Sequence, residues 1–524
     1  MEPNLVLTAV FVATPPVVAI SSPVKNQRTA APVFDGAAHR HFPIANVVCA
    51  LDGTNHIATL TAGSGSVSNW SIALVPSPGM NTFTAHAEDI HGIASPSVSH
   101  SFLFKAPAVL IVTNAGLGTG AFRGSSSIAG DAVPANGAML NIGESYTITA
   151  SPGKSSLFSN WTSVVEGGAP TPSASPILRF VMQSNLVLTA TFIPNFFPVV
   201  TGTYNGLFYP PGGVTEETSG MLYNLALRDT GSFSGQILTT TTNYHFATNF
   251  DAAGNAEFKI GSLRVALKLE MTASEIIGTV SSRQFLANLT ADLASNVLQP
   301  ASYTILFSPT KDVSPVSPTG EGYALIANKS GAVTLSGALA DGTAYSQVVP
   351  VSQNCDVPVY ASLYTKAAGA NTGLLLGWIN LTNLQATAPT NVLAWIKKPL
   401  RLPNLYTNGF TNLLSVQGGV WSVPPPHSPA ISLTNGQLII SNASLVLDFT
   451  NVVVHDDNSL TSLAAEPTNS LSGSINPQTG RVTVTIANDD GGIITNYGAV
   501  VQTTTNGGGY FLTATNGGSM ILEP

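Results

Sequence analysis

Charge is what this chain has least of: 19 basic and 27 acidic residues in 524, 9% of the sequence, with a formal net charge of -8. A nucleic-acid binder needs a basic footprint, so that class is excluded. The same scarcity argues against helices, whose solvent faces normally carry Glu, Lys and Arg at i to i+4 spacing. Cysteine is almost missing as well. Cys49 and Cys355 lie far apart in what read as separate domains, which excludes a cystine-stapled scaffold. Cys49, in Asn46-Val-Val-Cys-Ala50, reads as a small buried hydrophobe. No apolar run approaches the roughly 18 residues that a membrane-spanning helix needs, so no such segment is expected.

Catalytic motifs are missing in turn. None of the nine His residues forms His-Glu-x-x-His, and there is no Gly-x-Ser-x-Gly elbow, phosphate loop or dinucleotide fingerprint. The close pairs His39/His41 and His86/His91, and His455 beside Asp456 and Asp457, read as loop or strand-end residues. A glycosidase holds two carboxylates about 5 to 10 Å apart. The adjacent pairs Glu216-Glu217, Asp456-Asp457 and Asp489-Asp490 would point to opposite faces of a strand, and they read better as turn residues. The expectation is a protein that is not an enzyme, with no catalytic residues, no metal site and no cofactor.

What is present is alternation. The positive mean hydropathy, +0.26, comes from Ala, Val, Leu and Ile interleaved with Thr, Ser and Asn, punctuated by 48 Gly and 35 Pro. That is the pattern of strands with one polar face, and it makes the chain all-β. At roughly 100 to 200 residues per domain the length suggests several domains. Internal repetition supports this, for Asn4-Leu-Val-Leu-Thr-Ala9 recurs as Asn185-Leu-Val-Leu-Thr-Ala190. In the second copy the motif closes a longer unit, so residues 1–13 are expected to be the closing strand of a truncated copy, with the true N-terminus and further domains upstream.

The complete unit, residues 106–193, carries four landmarks in order: Gly143-Glu-Ser-Tyr-Thr-Ile-Thr-Ala150, Phe158-Ser-Asn-Trp161, Pro176-Ile-Leu-Arg-Phe180 and Asn185 to Phe192. This order resembles the divergent internalin-type B-repeat, the bacterial repeat domain of cell-surface proteins. The resemblance implies a small β-grasp-like module of extracellular stalks. Physically, Tyr146, Ile148 and Ala150 share one strand face and Trp161 reads as core. Residues 14–105 end in Gly79-Met-Asn-Thr-Phe83-Thr-Ala85-His-Ala87-Glu-Asp89, followed by Gly92 and Ser95. That pattern resembles the last two strands of bacterial immunoglobulin-like domains and implies a sandwich. Glu88 and Asp89 could ligate calcium at a domain junction, but a turn-capping Asp89 is the favoured reading.

From residue 198 to 524 the strands lengthen and the turns become rich in Gly, Asn and Asp. Three segments share a strand, a glycine turn and a strand, centred on Gly231, Gly331 and Gly480. A long run of hairpins is best closed on itself, so this region is expected to be a large antiparallel meander β-barrel, single or double, with a possible seam near 298–318. An outer-membrane barrel is disfavoured by the frequent Pro. The opening Gly202-Thr-Tyr-Asn-Gly-Leu-Phe208-Tyr-Pro and the closing Gly507-Gly-Gly-Tyr510-Phe-Leu512 with Gly518-Ser-Met-Ile-Leu522 resemble the C-terminal part of large surface proteins of verrucomicrobial type, a resemblance that implies no activity.

The candidate ligand-binding residues are aromatic, because exposed rings stack on sugars. Trp395, beside Lys397 and Lys398, and Trp421, beside Pro424-Pro-Pro426, are expected to be partly exposed, and Tyr209 joins them. Trp378 reads as core. The leading expectation is a non-enzymatic extracellular or bacterial cell-surface protein whose stalk modules display the C-terminal domain for adhesion or for binding polysaccharide or cell-surface components. The alternatives are the accessory region of a secreted polysaccharide-degrading enzyme, or a structural surface-layer component.

Overall fold

The computed structural model describes residues 8, 14–39, 41–128, 130–310, 317–329, 331–364, 371–385, 391–399, 405–463, 469–488, 491–514 and 517–524. The chain is all-β: among the described residues a single short 3-10 turn, Phe197–Val199, interrupts the strands. It divides into two compact units, residues 1–195 and 196–524. Apart from Thr8, the expected closing strand at 1–13 lies outside the described residues.

The first unit contains a two-sheet sandwich. One sheet runs in the order Val17–Ser22, Phe34–His39, Val67–Ile72, Thr59–Ala62; the other in the order Arg28–Thr29, Val98–Phe104, Gly79–Asp89, Ile44–Leu51, Thr54–Ile57. Strict alternation along Gly79–Asp89 sends Phe83, Ala85 and Ala87 inward, where Phe83 meets Phe34 at 4.9 Å between ring centres. Gly36 is fixed by this packing. A methyl group there would lie 2.0 Å from the Ala19 carbonyl oxygen and 2.3 Å from the Trp70 ring. Asp89 caps its turn, its Oδ1 accepting the N–H groups of His91 (2.9 Å) and Ile93 (3.0 Å). Cys49 is buried, and burial pushes its thiol up to about 11.

The second module of this unit pairs Ile111–Ala115 in parallel with Val187–Pro194, which in turn pairs with Ser156–Val164. Tyr146, Ile148 and Ala150 are buried together with Trp161, whose Nε1–H donates to the Pro176 carbonyl at 3.0 Å. Arg28 of the sandwich donates to both Asp131 and Glu144 of this module. These carboxylates are almost fully buried, so the pair is held by hydrogen bonds as well as charge.

The second unit holds three eight-stranded antiparallel meanders in succession, where the sequence had suggested one barrel or two. Strand counting cannot separate them, because a hairpin signal is the same within a barrel and between barrels. The first runs from Gly202–Tyr209 to Leu286–Leu293, the second from Ala301–Pro309 to Phe410–Trp421, and the third from Gly436–Ser441 to Gly517–Glu523. In each, the first strand pairs with the last. The third is a closed barrel, whereas the first two stay open between their fourth and fifth strands. The interior of the third is filled by Leu438, Ile440, Phe449, Val484, Phe511 and Met520, the reverse of the polar lumen of a membrane barrel. Among the described residues no helix is long and apolar enough to cross a membrane.

Candidate functional site

The three aromatic candidates part company in the structure. Trp395 is 1% exposed and Trp421 is 4% exposed, so the expectation of partly exposed rings fails for both. The reason is that each indole N–H finds a partner inside the protein: Trp395 Nε1–H donates to the Tyr364 hydroxyl at 2.9 Å, and Trp421 Nε1–H to the Pro477 carbonyl at 3.1 Å. Neighbouring charge misled for Trp395, since Lys397 is itself buried in an ion pair with Asp341. Trp421 is covered by the turn that contains Gly480. Neither ring presents a face to a ligand. Trp378 packs against the core of the second meander. Tyr209 is 39% exposed at the end of its strand.

Tyr209 also stands in a row. Cross-strand register places Glu257, Ala266, Thr279, Asn288 and Tyr209 side by side across five strands of the first meander. A second row sets Asn255, Lys268, Ile277 and Thr290 alongside it. Along these strands the partners of alternate sign, such as Val265, Leu267, Ile276 and Leu289, fill the interior, so the two rows necessarily face outward. Between the rows lies a groove of about 670 Å³, floored in part by Gly278 and lined by the residues just named from Asn255 to Thr290. At about 4.8 Å per strand, its four strands extend it over about 14 Å, and Tyr209 continues the first row on a fifth strand beside it.

The lining combines hydroxyls (Thr279, Thr290), amides (Asn255, Asn288), apolar patches (Ala266, Ile277), two charges matched by neighbours, and the carboxylate of Asp251, whose Oδ1 accepts the N–H groups of Ala253 and Asn255. Glu257 is paired with Arg264, and Lys268 with Glu270 at 2.5 Å. The face is therefore amphipathic, with Asp251 its one lining charge outside these ion pairs. Among the described residues no cluster of His, Cys, Asp or Glu is arranged to hold a metal ion.

A second cavity, about 420 Å³, lies between the first and second meanders. Lys398 Nζ sits 2.6 Å from Glu216 Oε2 and also contacts Glu217. Burial works against the ammonium, but the hydrogen bonds it donates to Glu216 and Glu217 outweigh it and raise its pKa, while Lys398 lowers that of Glu217. These charges satisfy one another. The two adjacent carboxylates converge because they lie in a turn, as their sequence reading has it, and not on a strand that would send them to opposite faces.

The groove was not visible in the sequence. Alternation marks Thr279, Asn288 and Thr290 as outward-facing, but which outward residues become neighbours depends on register, which single-strand patterns do not encode.

Residues 124–196 match the family model of the divergent InlB B-repeat domain. The B-repeat thus occupies a minor part of the chain, and it fits a surface protein. Among solved structures, the fibronectin(III)-like modules of Clostridium thermocellum CbhA share 16% identity, covering 34% of this chain and 94% of that one, with a TM-score of 0.13. Intact Ap-TbpB (N and C lobes) shares 8% identity over 92% of this chain and 94% of its own, with a TM-score of 0.17. Transferrin binding protein B from Haemophilus parasuis shares 9% over 99% and 97%, also at 0.17. At these TM-scores the likenesses carry no argument about this chain. No curated protein matches it.

Proposed function

We propose that this chain is a non-enzymatic extracellular or cell-surface protein whose first unit serves as stalk modules and whose first meander binds a neutral glycan chain. The observation that carries the reading is the outward groove across four strands, with hydroxyl and amide groups on three of them and Tyr209 beside Asn288 at its flank. Sugars need this mixture, since hydroxyl and amide side chains meet their hydroxyls while Ile277, Ala266 and the Tyr209 ring meet their C–H faces. The matched pairs and the Asp251 carboxylate give an acidic polysaccharide no advantage over a neutral one. The B-repeat supports the surface setting.

The test is binding of the full chain to neutral glucans, mannans and xylans beside uronic-acid and sulfated polysaccharides. Saturable binding to a neutral polymer, weakened about fivefold by Tyr209→Ala or Asn288→Ala, is the expected result, because a stacking ring or a hydrogen-bonding amide each contributes about 1 kcal/mol. Binding that survives both substitutions would move the site elsewhere, and no binding to any polymer would remove the glycan reading.

A further inference from the structure

The second meander contains a buried polar cluster that the groove does not use. Asp341 lies in the turn joining Ala332–Ala338 to Ala344–Pro350, and Lys397 ends the strand Val392–Lys397. The side chains are 2% and 4% exposed, and Lys397 Nζ stands 3.3 Å from Asp341 Oδ2. Aromatic rings surround them: Nζ is 4.6 Å from the centre of the Tyr364 ring and 5.9 Å from that of Tyr406. Phe410 packs edge-on against Trp395 at 4.6 Å.

Each atom of the pair has a distinct partner. Asp341 Oδ1 accepts the Thr343 N–H at 3.0 Å. Oδ2 accepts the Tyr364 O–H at 2.6 Å, and that hydroxyl in turn accepts Trp395 Nε1–H. Lys397 Nζ donates to the Leu405 carbonyl at 2.9 Å. Tyr364 and Tyr406 both hold left-handed backbone conformations, with φ of 56° and 63°, a strain tolerated only where the surroundings impose it. Burial and the charge of Asp341 push the Tyr364 phenol upward, which keeps it a proton donor.

We propose that Asp341 and Lys397 condense into an intramolecular isopeptide bond. The reaction balances without an external reagent. The ammonium passes one proton to the carboxylate, the free amine attacks Cγ, and a C–N bond forms. The C–Oδ2 bond then breaks, and that oxygen leaves as water with both protons lost from the nitrogen. Thr343 N–H stabilises the developing charge on Oδ1, and Tyr364, touching the leaving oxygen, relays the proton. Lys397 Nζ stands 3.3 Å from Oδ2, one bond from the Cγ it attacks, so the two groups are already brought together. In water the ion pair would prevail. In a dry site, condensation removes two buried charges whose desolvation is expensive and expels the water produced. The bond would tie the hairpin at one end of the second meander to a strand on the other side of its gap.

Peptide mapping of the full-length chain by mass spectrometry decides the matter. The expected product is a branched tryptic peptide containing both Asp341 and Lys397, uncut after Lys397 and lighter than its two parts by one water, about 18 Da. Lys397→Arg should give the unbranched peptides, and Tyr364→Phe, which keeps the ring, should leave most of the chain unbranched. Unmodified Asp341 and Lys397 peptides from the wild-type chain would overturn the proposal by themselves, whatever the variants do.

Discussion

The first and second meanders open at the same place, between their fourth and fifth strands, and they seal the gap with different chemistry. In both, the residue after the fourth strand donates its N–H to a glycine turn one hairpin away: Phe250 to Gly231 at 2.9 Å, and Val351 to Gly331 at 3.0 Å. On the other side, Leu269 donates to Gly254 and Leu381 to Cys355. These bonds flank the gap on either side. Counting back from them, Phe246 of the first meander occupies the position of Gln347 in the second. Phe246 packs its ring on Phe258 across the gap, with centres 4.9 Å apart. Gln347 instead reaches across with its amide, donating to the Pro358 carbonyl at 3.0 Å and accepting the Tyr360 N–H at 2.9 Å. One side chain does the work of a strand partner in the second meander. The third needs neither, because Asn469–Ile475 pairs along its length with Arg481–Asn488.

The largest effect is expected at the aromatic seal. Phe233 is buried and lies 4.4 Å from Phe250, 6.0 Å from Phe246 and 6.3 Å from Phe258, so it joins the rings on both sides of the gap. Phe233→Ala should destabilise the first meander by about 4 kcal/mol, the usual penalty for emptying an aromatic core site. Hydrogen exchange on the full chain would show faster opening of Asn243–Asn249 and Asn255–Ile260 with the third meander unaffected. Uniform opening of all three would mean that the meanders are not separate cooperative units.

The next effect lies where the first meander meets the gap of the second. Asp292, the register partner of Asn205 and Glu275, stands beside the turn that starts at Ser352. Burial first, and then the charges of Asp356 and Glu275, push its carboxyl up to about 6. The folded chain therefore keeps a proton that the unfolded chain has released between about pH 4 and pH 6, and stability falls as pH rises through that window. Acidification from pH 7 to pH 5 should tighten this junction, and Asp292→Asn should gain up to about 3 kcal/mol at pH 7 and flatten the pH response. The readout is exchange of the Gln353 N–H, which donates to the Leu293 carbonyl at 2.9 Å. A junction equally tight at both pH values would mean that Asp292 is ionised throughout.

How far the sequence reached depends on whether the evidence was local. The glycine turns at Gly231, Gly331 and Gly480 were legible because a left-handed residue in a hairpin leaves a local mark, and all three have positive φ (81°, 84° and 75°). Their equivalence was only partly legible. Gly231 and Gly331 join the second and third strands of their meanders, but Gly480 joins the fourth and fifth of the third. The burial of Tyr146, Ile148 and Trp161 followed from alternation. The burial of Trp395 and Trp421 did not, because the Tyr364 hydroxyl and the Pro477 carbonyl that satisfy their indoles come from distant parts of the chain. The groove beside Tyr209 was hidden for the same reason, being made of register.

The smallest effect tests the amide seal, and with it the claim that Phe246 and Gln347 are alternative answers to one problem. Gln347→Ala leaves the Pro358 carbonyl and the Tyr360 N–H without the partner that bridges the gap, and the loss should be about 2 kcal/mol. Because 1.4 kcal/mol is a factor of ten, exchange at the Tyr360 amide should quicken by about thirtyfold. Gln347→Phe should fare no better, since the position facing it in the second meander carries Val359 where the first carries Phe258, so a ring inserted there gains no aromatic partner while still abandoning two polar groups. Recovery by Gln347→Phe combined with Val359→Phe would show that the two seals are interchangeable. Failure of that pair would show that the polar groups of Pro358 and Tyr360 commit the second meander to its amide.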